Sequence, residues 1–168
     1  DGRYLFVAQG NDNQVSVIET ASRKVIEVFA TALFPESLAG STPNALALSG
    51  DEKTLYIANA DNNCLAIFDV SKPGFSKSRG FIPASWYPTN IKVIGKKIFV
   101  SNGKGLSSFP NAKGPDPTKK DEEVIYQHGD YKKQQSKIEY IGGLMKGTMS
   151  IVDEPTDAVL AVYSKAVY

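Results

Sequence analysis

A five-residue sequence that occurs three times constrains the fold of this chain more than any other feature. Leu-Phe-Val-Ala-Gln at residues 5–9 recurs as Leu-Tyr-Ile-Ala-Asn at residues 55–59 and as Ile-Phe-Val-Ser-Asn at residues 98–102. The intervals are 50 and 43 residues. Self-similarity at such a period is typical of repeat architectures. The sequence therefore predicts three related structural units.

Each unit contains several short strand patterns. After the first two copies come turns rich in Asn and Asp, at residues 10–13 and 60–63, which suit tight hairpins. A second strand follows at residues 15–19, 65–69 and 149–153, and other strands are predicted at 24–29, 43–49, 80–83 and 88–94. Four strands per unit at this period indicate β-propeller blades. A β-sandwich also has short strands, but it does not predict one strand sequence at a regular interval.

The predicted fold is all-β: a partial β-propeller of about three four-stranded blades from a seven-bladed ring, with a C-terminal helix. Residues 1–153 form the propeller, and a polar insertion at residues 104–146 interrupts the last blade. Residues 154–168 form a helical exit segment or linker, since Val159, Leu160 and Val162 follow helical spacing and Asp153 or Thr156 can cap the helix. Three blades leave apolar faces open. We therefore expect as partners the remaining blades of the propeller or another copy of the chain.

Composition excludes several classes of function. Nineteen Lys and Arg against eighteen Asp and Glu leave a net charge of +1, which gives no electrostatic reason for nucleic-acid binding. No apolar run approaches the roughly 20 residues of a membrane helix. The one cysteine, Cys64, is expected to be a small apolar strand residue, and the one histidine, His128, lies in the insertion without a second histidine. We expect no metal site, cofactor or catalytic set in this chain.

The best candidate for a binding site lies where the chain enters the first strand of a blade. Trp86 and Tyr87 precede this strand in the third unit, and they are expected at the mouth of the central channel. An aromatic pair there either grips a ligand or partner, or fills the gap between two blades. The other candidate residues at this end are polar: Asn44, Asn59, Asn90, Asn102 and Lys104.

Two further patterns are weaker. Residues 103–108, Gly-Lys-Gly-Leu-Ser-Ser, partly match a phosphate loop but lack its spacing, and a hairpin is expected there rather than a helix. The acids Glu19, Asp69 and Asp153 recur at one position of the repeat, and we attribute them to turn chemistry rather than to catalysis.

Residues 42–60 and 15–20 resemble the YVTN-type propeller repeat. Four segments, at residues 80–83, 86–89, 102–106 and 147–151, are more narrowly similar to bacterial proteins that join such a propeller to an alkaline-phosphatase-like phosphoesterase domain. The family's usual Pro-Asp-Gly turn is Gly-Asp-Glu here, at residues 50–52. The resemblance implies a periplasmic or extracellular protein with its phosphoesterase domain beyond Tyr168.

Three functions are compatible with these patterns. The first is a non-catalytic propeller module that binds a ligand or packs on a neighbouring phosphoesterase domain. The second is part of a phosphoesterase whose catalytic domain lies beyond Tyr168. The third is a lactonase-like propeller enzyme, which would need inward-facing acids and histidines where this sequence has Asn44, Asn90 and Lys92.

Overall fold

A computed structural model describes residues 2–108, 110–111, 114 and 141–168. These residues contain strands, two short 3-10 helices and one α-helix. The strands are β1 Tyr4–Gln9, β2 Gln14–Glu19, β3 Lys24–Ala30, β4 Pro43–Leu48, β5 Thr54–Asn59, β6 Cys64–Asp69, β7 Lys77–Pro83, β8 Trp86–Ile94, β9 Lys97–Gly105 and β10 Thr148–Asp153. The 3-10 helices are Ala60–Asn62 and Ile141–Leu144, and the α-helix α1 is Asp157–Val167.

The strands form three antiparallel sheets, which we call blades. Blade 1 has the order β1-β2-β3, blade 2 has the order β4-β5-β6-β7, and blade 3 has the order β8-β9-β10. The predicted all-β partial propeller with a C-terminal helix is confirmed. Among the described residues only blade 2 has four strands, because blade 1 has no strand before β1 and blade 3 has none after β10. The number of blades in a complete ring stays a prediction.

The blades pack face to face through two apolar clusters. Between blades 1 and 2, Val15 and Phe6 pack against Leu55, Ile57 and other residues of blade 2. The cluster between blades 2 and 3 contains nine buried residues: Tyr56, Ala58, Leu65, Ile67, Ile82, Ile91, Ile98, Val100 and Leu160. Because β5 and β6 are covered on both faces, their residues are apolar almost without alternation.

The turn between the first two repeated strands is the same in blades 1 and 2. Asn13 and Asn63 have φ of 55° and 53°, the left-handed conformation that Asn tolerates better than most residues. Blades 1 and 2 are also joined near their outer strands. Glu27 of β3 accepts hydrogen bonds from the backbone N–H groups of Gly74 at 3.0 Å and Ser76 at 2.6 Å.

Helix α1 lies against β7, the outer strand of blade 2. Thr156 is the N-cap residue, and its hydroxyl accepts a hydrogen bond from the N–H of Val159. Leu160 is buried in the cluster between blades 2 and 3, and the Ser164 hydroxyl accepts a bond from the N–H of Phe81 at 2.9 Å. The predicted helix is confirmed, whereas the path of the chain after Tyr168 stays a prediction.

The insertion lies mostly outside the described residues. Strand β9 continues to Gly105, so the first two positions of the predicted insertion belong to the sheet. At its other end, residues 141–144 form a 3-10 helix. His128 and the charged segments of the insertion lie outside the described residues, and the predictions for them stay predictions.

Candidate functional site

The structure brings Trp86, Tyr87, Lys104 and Asn63 together at the entry to blade 3, and we call this group the aromatic mouth. Trp86 pairs with Gly105 across the sheet and Pro88 pairs with Asn102, so Tyr87 lies in an irregularity of the β8–β9 ladder. Such bulges redirect a side chain. The N–H of Tyr87 donates a hydrogen bond of 2.9 Å to Oδ1 of Asn63 in the preceding blade.

Tyr87 has a φ of 63°, which is rare for an aromatic residue and rarer before a proline. The entry to blade 2 has a similar backbone conformation, since Thr42, which also precedes a proline, has a φ of 50°. There Oδ1 of Asn13 accepts bonds from the N–H groups of Gly40 and Ser41. The repeat therefore keeps the strained turn but changes its side chains. Because small polar residues suffice for the turn, the aromatic residues of blade 3 are not explained by the turn alone.

Lys104 completes the aromatic mouth from β9. Its Nζ lies 3.9 Å from the centre of the Tyr87 ring and 5.5 Å from the centre of the Trp86 ring. Both distances suit a cation–π interaction. Gly103 allows β9 to approach Thr89 of β8 closely, because a Cβ there would lie 2.9 Å from Cγ2 of Thr89. All three side chains keep part of their surface exposed, so the mouth presents one cation beside two aromatic rings.

The inner strands β4 and β8 carry the next predicted site residues. Asn44 and Asn90 are exposed, each beside a ladder irregularity, and Oδ1 of Asn90 accepts a bond from the N–H of Ile91. Lys92, also exposed, is the only charged residue in the sequences of β4 and β8. The exposed polar surface of these strands is therefore amide, hydroxyl and ammonium, without a carboxylate.

The other two predicted amides lie inside the protein. Asn59 is fully buried and its Nδ2 donates to the carbonyl oxygen of Thr31 at 2.6 Å, whereas Nδ2 of Asn102 donates to the hydroxyl of Ser150 at 3.0 Å. The Oδ1 atoms of both side chains have no hydrogen-bond partner. Asn59 thus bonds to the segment that follows β3, Asn102 bonds within blade 3, and neither contributes surface to the aromatic mouth.

The recurring acids each have a partner at their own turn or strand end. Glu19 accepts a bond from the hydroxyl of Ser22, and Asp153 forms an ion pair with Lys97 at 2.6 Å. The hydrogen bonds from Ser71 to Asp69 lower the pKa of its carboxyl below the usual value. This arrangement favours the structural interpretation of the acids.

The remaining sequence candidates have structural positions as well. Cys64 is fully buried, and burial raises the pKa of its thiol to about 12, so it is not a thiolate at neutral pH. Residues 103–105 end strand β9 and do not lead into a helix, as a phosphate loop would. Within the described part of the chain, no group of three or more His, Cys, Asp or Glu side chains is placed to hold a metal ion. The same residues include no helix long and apolar enough to cross a membrane.

The sequence did not point to a cleft of about 490 Å³ at the opposite end of the strands. It lies between blades 1 and 2, and its lining includes Arg3, Tyr4, Asp51, Glu52 and Lys53. A hydrogen bond from the Ser49 hydroxyl lowers the pKa of the Asp51 carboxyl. In the sequence, only the charged turn at residues 51–53 could have indicated this cleft, and such a turn is equally typical of a solvated hairpin.

The fold and these positions define a segment of a β-propeller-type protein. No protein-family model matches the sequence. Uncharacterized proteins from two strains of Staphylococcus epidermidis are 36% identical to it over 77 residues, which is 45% of this chain and 22% of each relative. The chain therefore spans about a fifth of the length of the curated relatives it matches.

Solved structures agree on the fold. A protein from Lactobacillus plantarum matches with a TM-score of 0.56 at 24% identity, over 61% of this chain and 32% of the other. A "putative 6-phosphogluconolactonase" from Bacteroides uniformis matches with a TM-score of 0.52 at 21% identity, over 59% and 29%. Hydrazine synthase from Kuenenia stuttgartiensis matches with a TM-score of 0.51 at 23% identity, over 61% and 27%. At these identities the likeness establishes the fold and not the activity.

Proposed function

We propose that the chain is a binding segment of a β-propeller and that its aromatic mouth takes an anionic ligand. The observation that carries this proposal is that the Lys104 ammonium lies over the rings of Tyr87 and Trp86, which occupy a turn whose backbone does not require aromatic residues. An ammonium group beside two rings suits a ligand with an acidic group and a planar or apolar body.

The electrostatics of the inner strands support an anion rather than a cation. Strands β4 and β8 contain no carboxylate, and a cationic ligand would compete with Lys104 for the same rings. Asp61, in the 3-10 helix that precedes Asn63, already accepts a hydrogen bond from the hydroxyl of Thr42 at the entry to blade 2. An ammonium held by aromatic rings is also less free to move, which reduces the entropy lost on binding.

Trp86 allows a direct test, because it is the only tryptophan of the chain. Its fluorescence is followed during titration with 6-phosphogluconate and, separately, with a hexaglutamate peptide. We expect saturable binding of at least one probe that weakens as salt is added. In the Lys104→Met variant, binding should weaken by roughly tenfold or more, as expected for the loss of one charged hydrogen-bond donor.

The matched control is Lys77→Met, which removes an exposed lysine from the opposite end of blade 2 and should leave binding unchanged. Equal binding by wild type and Lys104→Met would contradict the proposed site. Failure of both probes to change the fluorescence would contradict an anionic ligand of either chemistry.

A lactonase-like enzyme is the second candidate, favoured by fold neighbours that carry a 6-phosphogluconolactonase name. Its test is the release of acid from 6-phosphogluconolactone, measured above the spontaneous rate. A rate proportional to protein concentration would favour the enzyme, whereas the spontaneous rate alone would exclude this activity for the chain. The phosphoesterase partner and the periplasmic or extracellular location remain proposals that rest on the family resemblance.

A further inference from the structure

Asn63 connects blade 2 to the aromatic mouth through two hydrogen bonds. It follows the first 3-10 helix with a φ of 53°, and its N–H donates to the carbonyl oxygen of Ala60. Its own carbonyl oxygen accepts a bond of 2.8 Å from the N–H of Ala84, and its Oδ1 accepts the bond of 2.9 Å from the N–H of Tyr87. One residue of blade 2 therefore holds both ends of the link between β7 and β8.

The backbone of Tyr87 depends on such support. Tyr87 has no partner residue in the register of the β8–β9 ladder, and its N–H bonds to Asn63 instead. A φ of 63° is unfavourable for a residue before proline, and such a conformation persists only where surrounding contacts hold it. Rotation about φ moves the side chain of a residue relative to its N–H. The bond to Asn63 therefore fixes where the Tyr87 ring meets the ammonium of Lys104.

Asn13 occupies the same turn position before the entry to blade 2, but its side chain holds different atoms. Its Oδ1 accepts hydrogen bonds from the N–H groups of Gly40 at 3.1 Å and Ser41 at 2.7 Å. These residues precede Thr42, which has the left-handed conformation at this entry. Asn13 thus holds the loop before the turn, whereas Asn63 holds the aromatic residue itself.

We propose that Asn63 is the positioning residue of the aromatic mouth and that it acts on the ligand through Tyr87. This inference rests on the proposed function, because the ring that Asn63 positions is the one nearest to the ammonium of Lys104. Without the bond, Tyr87 leaves the left-handed conformation more often, and only molecules with an assembled mouth bind the ligand well. Loss of one neutral hydrogen bond shifts such an equilibrium by roughly fivefold.

The substitution Asn63→Gly tests this role, because glycine keeps the positive φ of the turn and removes only the side chain. Without any ligand, the near-ultraviolet circular dichroism of Trp86 should change, and deuterium exchange of the Tyr87 amide, followed by NMR, should become roughly fivefold faster. The affinity for the anionic probe that the wild type binds should fall by roughly two- to fivefold. Asn63→Asp keeps an oxygen acceptor at this position, so it should retain the wild-type dichroism and exchange.

The matched control is Asn13→Gly, which makes the same change in a turn with a φ of 55° and should leave the Trp86 signal, the Tyr87 exchange and the affinity as in the wild type. Wild-type dichroism and exchange in Asn63→Gly would overturn the positioning role and leave the proposed function intact. Equal changes in Asn13→Gly, or an unchanged affinity once the Tyr87 amide is released, would also overturn it.

The wild type supplies a further test that does not depend on the folding of a variant. Its Tyr87 amide should exchange more slowly than the same amide in an unstructured peptide, and equal rates would overturn the role of Asn63. Because dichroism and exchange are measured without ligand, a wild type that binds neither anionic probe would contradict the proposed function alone.

Discussion

The contact of helix α1 with the propeller can be tested by the substitution Leu160→Ala. Leu160 is 2% exposed and belongs to the apolar cluster between blades 2 and 3, on the side of the outer strand β7. The substitution removes three carbon atoms. At about 0.8 kcal/mol for each buried carbon group, the lost transfer free energy is about 2.4 kcal/mol. A residual cavity adds to this value, so the free energy of unfolding should fall by about 3 kcal/mol, within the range of about 2–5 kcal/mol for such substitutions.

The assay is urea unfolding followed by circular dichroism, in which the midpoint should fall and the slope should stay the same. Val162→Ala is the control on the same helix, since its side chain is 66% exposed. It should change the free energy of unfolding by no more than about 0.5 kcal/mol. Equal effects of the two substitutions would show that α1 does not pack on blade 2 as described.

Two further predictions concern this region. Gly80 has a φ of 137°, and a Cβ there would lie 2.3 Å from Oγ of Ser164, so Gly80→Ala should lower the free energy of unfolding by about 1–3 kcal/mol. Adding Ser164→Ala should recover part of this loss, and strictly additive losses in a double-mutant cycle would contradict the contact. Burial and the nearby Glu154 carboxylate raise the pKa of the Tyr56 hydroxyl above its usual value, so the folded state holds this proton more tightly than the unfolded state. Stability should therefore fall as the pH rises above about 10, and a Tyr56→Phe variant with an equally steep fall would refute this.

The strands were predictable from the sequence because the repeat carries its own alignment. The predicted strand at residues 55–59 differs by one position from Thr54–Asn59, and the copy at residues 98–102 lies within Lys97–Gly105. Period-2 alternation and turn residues are local properties of the chain. The sequence offered Asp153 or Thr156 as the N-cap, since capping depends on a few adjacent residues, and the structure has Thr156 there.

The candidate site was predictable only in part. Trp86 and Tyr87 were singled out as an aromatic pair before the first strand of a blade, but their contact with Lys104 depends on the register of the β8–β9 ladder. Asn59 and Asn102 were predicted as binding residues, and the structure buries both of them. The sequence carried a signal for this, because Asn59 lies two residues after Ile57 and Asn102 lies two residues after Val100, and alternate residues share one face of a sheet.

The sequence alone determined the repeat, the strands and the propeller architecture, since these follow from local patterns that recur along the chain. The tertiary structure decided which equivalent residues are covered. Leu5 and Leu55 occupy the same repeat position, yet one is exposed and the other is buried. Tertiary packing also decided that α1 buries Leu160 and leaves Val162 exposed, although both belong to the predicted apolar side. Burial depends on which surfaces meet, and a single stretch of sequence does not contain that information.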